Sequence, residues 1–261
     1  MATNTTQTYQ YLTVDGEDIV RVTLNRPEVR NAFNEGLIRE LQDIFTRLGS
    51  DQHCRVIVLQ ANGKSFCAGA DLHWMKSMAS FTKEENLADS RKMATMLHTI
   101  YSCPKPVVAK VQGDAYAGGV GLASVCDIVI ASNQARFCIS EAKLGLLPAT
   151  IAPYVIRALG EQASRRYFVT AEVFTASHAK EIGFVHELVD TDALDSKVDE
   201  ICHAILSNGP MAVMACKKIV RDLSQQAITP ALLEDTVERI ANIRISHEAQ
   251  ERMKAFLEKS K

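Results

Sequence analysis

Hydrophobic and polar residues follow a regular pattern along the first half of the chain, and this pattern predicts strands and helices in turn. DIVRVTLN (residues 18–25) alternates β-branched with polar residues, as a strand does. In the segment that follows, NEGLIRELQDIFTRLGS, apolar residues recur at helical spacing at Leu37, Leu41, Ile44, Phe45 and Leu48. A strand followed by an amphipathic helix is therefore predicted.

Three short apolar runs further along predict strands that are buried on both faces. They are CRVIVLQ (54–60), KPVVAKV (105–111) and CDIVIAS (126–132). A long helix is predicted from Glu84 to Tyr101, between the first two runs. Strands that alternate with helices need crossover connections and helices on both faces of the sheet, so the pattern predicts an α/β fold.

The pattern changes from about Pro148 onward. Helical segments follow one another, separated by Gly, Pro and Asn; they include EQASRRYFV, TASHAKEIG, ALDSKVDEICHAIL, MAVMACKKIVRDL and PALLEDTVERIANIRIS. The last third of the chain is therefore predicted to be a helical layer.

Composition and charge narrow the classes of function. The chain has 261 residues, of which 47% are hydrophobic and 23% charged, and its net charge is −2. Its Lys and Arg residues are spread out, which argues against nucleic acid or an anionic membrane as partner. The apolar stretches are far shorter than the roughly 20 residues that cross a bilayer. The start, MATNTTQTYQYL, resembles no targeting signal, so a cytoplasmic location and small-molecule chemistry are expected.

The cysteines indicate a reducing compartment. No CxxC pair occurs, and most of the cysteines lie in apolar contexts, which predicts buried thiols and neither disulfides nor a structural zinc site. The seven residues are Cys54, Cys67, Cys103, Cys126, Cys138, Cys202 and Cys216.

Three segments combine small residues with a predicted strand. They are SFCAGADLHWM (65–75), GDAYAGGVGLASVCD (113–127) and ARFCISEAKLG (135–145). A strand that ends in small residues and opens into a helix leaves N–H groups unpaired, and these can stabilise a developing negative oxygen. Small side chains also let a ligand approach the backbone. The segments are therefore candidates for an anion-stabilising site.

Other interpretations of these segments carry less weight. AGAD alone could be a tight strand-to-helix turn. GGVGLA approximates a dinucleotide-binding fingerprint, but Ser124 occupies its last position and no acidic residue ends a second strand about 20 residues on. A serine hydrolase lacks its G-x-S-x-G motif here. Asp71 is predicted to cap a helix, with His73 on its surface and Trp74 in packing.

Glu141 is the candidate acid–base residue. A glutamate is most often a solvated surface charge. Here apolar neighbours in sequence should partly desolvate the carboxylate and tune it toward proton transfer; these are Phe137, Ile139, Leu144, Leu146 and Leu147. Glu141 is therefore predicted to be functional.

Taken together, the segments resemble the enoyl-CoA hydratase/isomerase superfamily, also called the crotonase family. The similarity covers nearly the whole chain and is carried by VTLNRPEVRNAFN, FCAGADL, AYAGGVGLASVCDIVIAS, FCISEAKLGLLP and SHEAQERMKAFLEK. The resemblance implies a spiral of ββα units over residues 1–200 and a C-terminal helical trimerisation region over residues 201–261. It also implies trimers or hexamers, and coenzyme A thioesters as substrates with no separate cofactor and no metal.

The resemblance also implies roles for individual residues. The backbone N–H groups of Ala70 and Gly118 would donate to the thioester oxygen, and Glu141 would exchange a proton with the adjacent carbon. Further positions are implied to bind the substrate, namely Glu28, Val29, Ala68, Asp71, Leu72 and Gly121. Basic candidates for the phosphates of coenzyme A are Arg26, Arg30, Lys76, Lys217 and Lys218.

One position departs from the family pattern. A typical hydratase carries a first catalytic glutamate three residues after the oxyanion glycine, where this chain has Gly121. Details such as CAGADLHWMKSM and LGLLPATIAPYVI look closest to hydratases of the methylglutaconyl-CoA type, which act in leucine degradation. The main expectation is thus hydration of a branched or methylglutaconyl-like enoyl-CoA. A single-glutamate enoyl-CoA isomerase is the alternative, and a non-catalytic RNA- or protein-binding member is the remoter one.

Overall fold

The computed structural model describes residues 8–259. Ten strands within this range form two sheets. The strands are Leu12–Asp15 (β1), Ile19–Leu24 (β2), Val56–Ala61 (β3), Ser65–Cys67 (β4), Val107–Val111 (β5), Asp114–Tyr116 (β6), Ile128–Ser132 (β7), Arg136–Cys138 (β8), Phe174–Thr175 (β9) and Glu187–Val189 (β10).

Eleven helices and three 3₁₀ turns complete the described part of the chain. The helices are Glu35–Ser50 (α1), Leu72–Met78 (α2), Lys83–Ser102 (α3), Gly118–Ser124 (α4), Ala152–Leu159 (α5), Glu161–Thr170 (α6), Ala176–Glu181 (α7), Leu194–Leu206 (α8), Pro210–Leu223 (α9), Pro230–Arg244 (α10) and His247–Lys259 (α11). The 3₁₀ turns are Pro27–Val29, Glu141–Leu144 and Thr191–Ala193.

The larger sheet has the order β1-β2-β3-β5-β7-β10 and is parallel except for the β1–β2 pair. Successive side chains of each strand point to opposite faces of the sheet, as the two-residue repeat of a strand requires. Ile57 and Leu59 of β3 face the core under α1 and α3, whereas Val56 and Val58 face α8. Both faces are therefore covered, which confirms the predicted α/β architecture with strands at 56–61, 107–111 and 128–132.

The smaller sheet holds the parts of the chain with the unusual glycines. Its order is β4-β6-β8-β9, and β4, β6 and β8 are mutually parallel. Cys67 lies opposite Ala115, and Tyr116 lies opposite Cys138. The carboxyl ends of these three strands therefore meet at one edge of the sheet.

The C-terminal third is not purely helical, contrary to the prediction. β9 joins the smaller sheet beside β8, and β10 pairs with β7 at the edge of the larger one. These strands have only two and three residues, which is too short to show an alternating pattern. They are defined by pairing with strands about 40 to 60 residues away in the sequence. The boundary predicted after residue 200 falls inside α8, which packs on the larger sheet, and the division into two regions stays a prediction.

The last three helices lie on the outside of the core, and none of their residues is buried. α9 is attached mainly through polar contacts. The ammonium group of Lys217 donates to Asp127 Oδ2 (2.6 Å) and to the carbonyl of Lys105 (2.9 Å), and Arg221 donates to the carbonyl of Ser102 (3.0 Å). Among residues 8–259, no helix is both long and apolar enough to cross a membrane.

Candidate active site

The three residues predicted to do the chemistry follow three neighbouring parallel strands. Ala70 comes just after β4, Gly118 just after β6, and Glu141 just after β8. Because the carboxyl ends of parallel strands meet at one sheet edge, these residues are brought to the same side of the fold. A Cβ built on Gly69 would lie 3.8 Å from the Gly118 nitrogen, so the first two turns are in contact.

The amide of Ala70 is left unpaired by its neighbours. Phe33 forms a parallel bridge across Ala70: its N–H donates to the Gly69 carbonyl (2.7 Å), and its carbonyl accepts from the Asp71 N–H (2.8 Å). The Ala68 N–H donates to the Arg30 carbonyl (3.0 Å). Since successive amides of an extended chain point in opposite directions, the Ala70 N–H faces away from Phe33. It has no acceptor among the described residues.

The amide of Gly118 is the first of α4, where no intrahelical acceptor exists. The preceding residue, Ala117, is held at φ 48° and ψ −118°. Its N–H donates to the Cys138 carbonyl (2.8 Å), and its own carbonyl accepts from Val120 (2.9 Å). A positive φ at a residue with a side chain costs about 1–3 kcal/mol and is typical of functional sites. The surrounding bonds therefore hold a strained turn that presents the Gly118 N–H.

Gly119 has a packing role that excludes a side chain. A Cβ at this position would lie 2.3 Å from the Cys67 carbonyl oxygen, so α4 rests directly on the backbone of β4. This close approach gives the glycine-rich run a structural reason that needs no nucleotide. It also brings the two candidate donors together.

Glu141 begins a 3₁₀ turn, and its carboxyl group is poorly hydrated. Its Oε2 atom is buried and has no hydrogen-bond partner among residues 8–259. Burial raises the pKa of Glu141, and a hydrogen bond from its own N–H offsets this only in part. A carboxyl group with a raised pKa and one oxygen without a partner is suited to proton transfer.

The apolar neighbours of Glu141 are only partly arranged as predicted. Phe137 and Ile139 are fully buried. Leu144, Leu146 and Leu147, however, are 57 to 75% exposed and do not enclose the carboxyl group within one chain. The desolvation of Glu141 therefore comes from the burial of its carboxyl group within the fold and not from these three leucines.

A cleft of about 510 Å³ runs beside Ala70. Its walls contain most of the predicted substrate-binding residues: Glu28, Val29, Ala68, Asp71 and Leu72, together with Arg30, Ala32 and His73. Two chain segments thus form the cleft, the loop around the first 3₁₀ turn and the β4–α2 connection. Small residues at Ala32, Ala68 and Ala70 leave the backbone open to a ligand.

Asp71 lines the cleft, and both oxygens of its side chain are already hydrogen-bonded within the protein. Oδ1 accepts from the His73 N–H (2.8 Å), which confirms the predicted cap of α2, and Oδ2 accepts from Arg26 (2.9 Å). Burial pushes the pKa of Asp71 upward, but these hydrogen bonds outweigh burial and the pKa lies below its ordinary value. His73 is exposed, and Trp74 packs against the core as predicted.

The basic candidates for phosphate binding separate into two groups. Arg26 is tied to Asp71, Lys217 to Asp127 and Lys218 to Asp222, so their charges are already paired. Arg30 lines the cleft, and Lys76 is exposed on α2. Of the five, Arg30 is the one whose position suits a ligand in the cleft.

Gly121 lies away from the cleft and is buried in α4. A Cβ on it would lie 2.2 Å from Cγ2 of Ile151 and 2.7 Å from its Cβ. Ile151, which the sequence did not single out, thus fills the space beside Gly121. A carboxylate could not be added at 121 unless this side chain moved.

Several other residues near the site were missed by sequence reasoning. A Cβ on Gly118 would lie 3.1 Å from the Phe33 ring and 3.2 Å from Cε of Met93, so these side chains flank the candidate donor. The indole N–H of Trp74 donates to Asp89 (3.1 Å), which links α2 to α3, and burial raises the pKa of Asp89. Phe33 and Met93 read as ordinary core residues, and Asp89 as one of many helix charges, so no signal marked them.

Comparison with known proteins identifies the family of the chain. The family model described as Enoyl-CoA hydratase/isomerase matches residues 15–261. A short-chain-enoyl-CoA hydratase from Clostridium acetobutylicum is 32% identical over 246 residues, which are 92% of this chain and 91% of the relative.

Solved structures are similar over almost the whole length. The crystal structure of an enoyl-CoA hydratase from Shewanella pealeana has a TM-score of 0.95 and 40% identity, and the match covers 99% of this chain and 98% of that one. A crystal structure from Legionella pneumophila has a TM-score of 0.91 and 44% identity, with 97% and 98% covered. The similarity therefore includes both sheets and the C-terminal helices.

Proposed function

The chain is an enzyme of the enoyl-CoA hydratase/isomerase family, and from this premise we propose that it hydrates an enoyl-CoA through an enolate held by Ala70 and Gly118. The observation that carries the proposal is that two amides without an acceptor and one carboxyl oxygen without a partner, among the described residues, follow β4, β6 and β8, whose carboxyl ends meet at one sheet edge. Among residues 8–259 the two N–H groups and Oε2 of Glu141 have no hydrogen-bond partner, which suits groups that bind a substrate.

The thioester oxygen accepts from the N–H groups of Ala70 and Gly118. The Glu141 carboxylate takes a proton from water as the water oxygen bonds to the β-carbon, and negative charge moves to the thioester oxygen. The carboxylic acid then returns this proton to the α-carbon as the enolate collapses. One carboxyl group thus serves as base and then as acid, and the two amides stabilise the charge between the steps.

Coenzyme A is part of the substrate in this scheme and not a separate cofactor. The backbone around Glu28, Val29 and Ala68 lies along the cleft, where it can hold the nucleotide end. Arg30 is the proposed partner for a phosphate, because its guanidinium can form paired hydrogen bonds with phosphate oxygens. For the acyl group we propose a branched chain of the methylglutaconyl type, on the resemblance of the segments around Ala70 and Leu147.

An enoyl-CoA isomerase is the second candidate, and Gly121 is the observation that favours it. Ile151 fills the space beside this buried glycine, so an apolar side chain stands where hydratases of the usual type are implied to carry their first catalytic glutamate. A single carboxyl group can remove a proton from the α-carbon and return it to the γ-carbon without any water. The two candidates share the enolate and differ in where the proton goes.

A panel of three thioesters distinguishes the candidates. We expect 3-methylglutaconyl-CoA to lose the absorbance of its conjugated thioester as water adds, and crotonyl-CoA to react more slowly. A gain of absorbance with a 3-enoyl-CoA alone would make the enzyme an isomerase. If no thioester reacts while the protein binds RNA in a salt-sensitive way, the catalytic proposal is wrong.

We further propose that the enzyme assembles as a homotrimer or as a hexamer of two trimers. The outer helices and their ends expose large apolar side chains, including Val220 (68%), Ile245 (79%) and Leu257 (62%). Contact with other copies of the chain would cover this apolar surface. Light scattering should give three or six times the mass of one chain. Ile245→Glu should lower this mass, Val14→Glu in the edge strand β1 should not, and a monomeric wild type would contradict the proposal.

A further inference from the structure

Arg26 joins the two chain segments that form the cleft. One guanidinium nitrogen donates to the Ala32 carbonyl (2.6 Å), and the other donates to Asp71 Oδ2 (2.9 Å). The guanidinium also lies over the ring of Tyr11, 5.1 Å from its centroid. Only 12% of the Arg26 side chain and 6% of the Asp71 side chain are exposed. A charged pair this far from water is held in one geometry.

Both ends of this contact border the bridge that orients Ala70. Ala32 immediately precedes Phe33, and Asp71 immediately follows Ala70. Phe33 bonds to residues on both sides of Ala70. Arg26 therefore connects the two chain segments of the Phe33–Ala70 bridge, next to the Ala70 N–H.

The backbone of Arg26 is itself connected to the smaller sheet through Asn31. Its backbone N–H donates to Oδ1 of Asn31 (2.9 Å), and Nδ2 of Asn31 donates to the carbonyl of Ser65 in β4 (2.9 Å). Asn31 is fully buried and has a positive φ of 54°. The arginine is thus anchored at both its backbone and its guanidinium.

We infer that Arg26 and Asp71 form a positioning pair that aims the Ala70 N–H at the thioester oxygen, an inference that rests on the proposed function. The planar guanidinium fixes direction as well as distance, which the ammonium of lysine does not. A misplacement of about 1 Å in a catalytic group can cost about 10²-fold in rate. The pair acts on the reaction through Ala70, since each of the two side chains is already bound to the other.

Phosphate binding is a poorer assignment for Arg26. Its donors already serve Ala32 and Asp71, its charge is paired with a carboxylate, and its side chain is nearly buried. Releasing it to a ligand would leave Asp71 charged and without its partner, which is costly. Arg30, exposed in the cleft, is free of this constraint.

Arg26→Gln tests the pair. We expect kcat to fall by about 10- to 100-fold with KM for the acyl-CoA changed by less than about threefold, because the donor is misaimed while the cleft remains. A bound dienoyl-CoA absorbs at longer wavelength when its carbonyl is polarised, and this shift should shrink in the variant. Arg26→Lys keeps the charge but loses the two-pronged guanidinium, so its kcat and its spectral shift should lie between those of Arg26→Gln and the wild type.

Two further variants keep the result interpretable. Arg166→Gln breaks an exposed pair between α6 and Glu172, which follows that helix, and should leave rate and spectrum unchanged. If the single variant does not fold, Arg26→Gln with Asp71→Asn removes the lone buried charge and retains a capping oxygen. A folded variant of either kind with wild-type kcat and the full spectral shift would overturn the inference. A wild type that turns over no enoyl-CoA would overturn the proposed function, and the inference with it.

Discussion

Replacement of Gly118 by proline should lower turnover by about 10²- to 10³-fold, the usual cost of one oxyanion donor. Proline has no N–H, so the change deletes the donor itself, which substitutions of side chains cannot do. Gly118 is the first residue of α4, and the first position of a helix is where proline is best tolerated. Initial rates with the reactive thioester from the panel measure the effect.

Gly118→Ala is the matched control. It keeps the N–H and adds one methyl group, which would lie 3.1 Å from the Phe33 ring and 3.2 Å from Cε of Met93. Cε of Met93 is the end of a flexible side chain and can move, whereas the Phe33 ring is fully buried, so the alanine variant should lose some rate but much less than the proline variant. Because Ala117 has an unusual backbone conformation before this residue, circular dichroism must confirm that both variants fold. A folded proline variant as fast as the alanine variant would remove Gly118 from the site.

Glu141→Gln should reduce turnover by about 10²- to 10⁴-fold, the range for loss of a general acid–base group. The amide is almost the same size as the carboxyl group, so acyl-CoA binding should survive, as calorimetry can measure. Glu17→Gln, at an exposed position in the β1–β2 turn, is the control for a change of charge. Rates within about threefold of wild type would assign the chemistry to another residue.

The same variant should be more stable than the wild type at neutral pH. Burial raises the folded-state pKa of Glu141 above its ordinary value of 4.5, so the ionised form is disfavoured in the fold. The stability of the wild type therefore falls as pH rises from the ordinary pKa through the folded-state pKa. Glutamine carries no charge, so its Tm advantage should be present at pH 7 and vanish below about pH 4. A lower Tm for the variant at pH 7 would contradict a carboxylate that burial destabilises.

Local patterns predicted those parts of the fold that depend on local sequence. The helix from Glu35 to Ser50 carries an apolar stripe, and the strand from Val56 to Ala61 begins with four apolar residues, so both could be recognised from the sequence. β10 was not visible, because ELV becomes a strand only through its pairing with β7. Edge strands of this length are defined by their partners and not by their own residues.

The site was predictable to the level of segments and not of contacts. Small residues after two strands and a glutamate after a third marked the places where Ala70, Gly118 and Glu141 lie. Which amide stays unpaired depends on Phe33, nearly 40 residues before Ala70, and on the bridge that it forms. The Arg26 contacts and the packing of Ile151 likewise join distant parts of the chain, and no spacing rule expresses them.

The packing of Ile151 against Gly121 restricts how this enzyme can evolve. A second acid at position 121 would overlap the isoleucine, so that substitution alone would disrupt the core. Shortening Ile151 first would leave a cavity, and such truncations cost about 2–5 kcal/mol, a large part of the stability of a typical domain. Either order of two mutations passes through a weakened intermediate. The two positions are therefore expected to change together among descendants of this chain, and the proposed chemistry with one carboxylate should persist while other positions change.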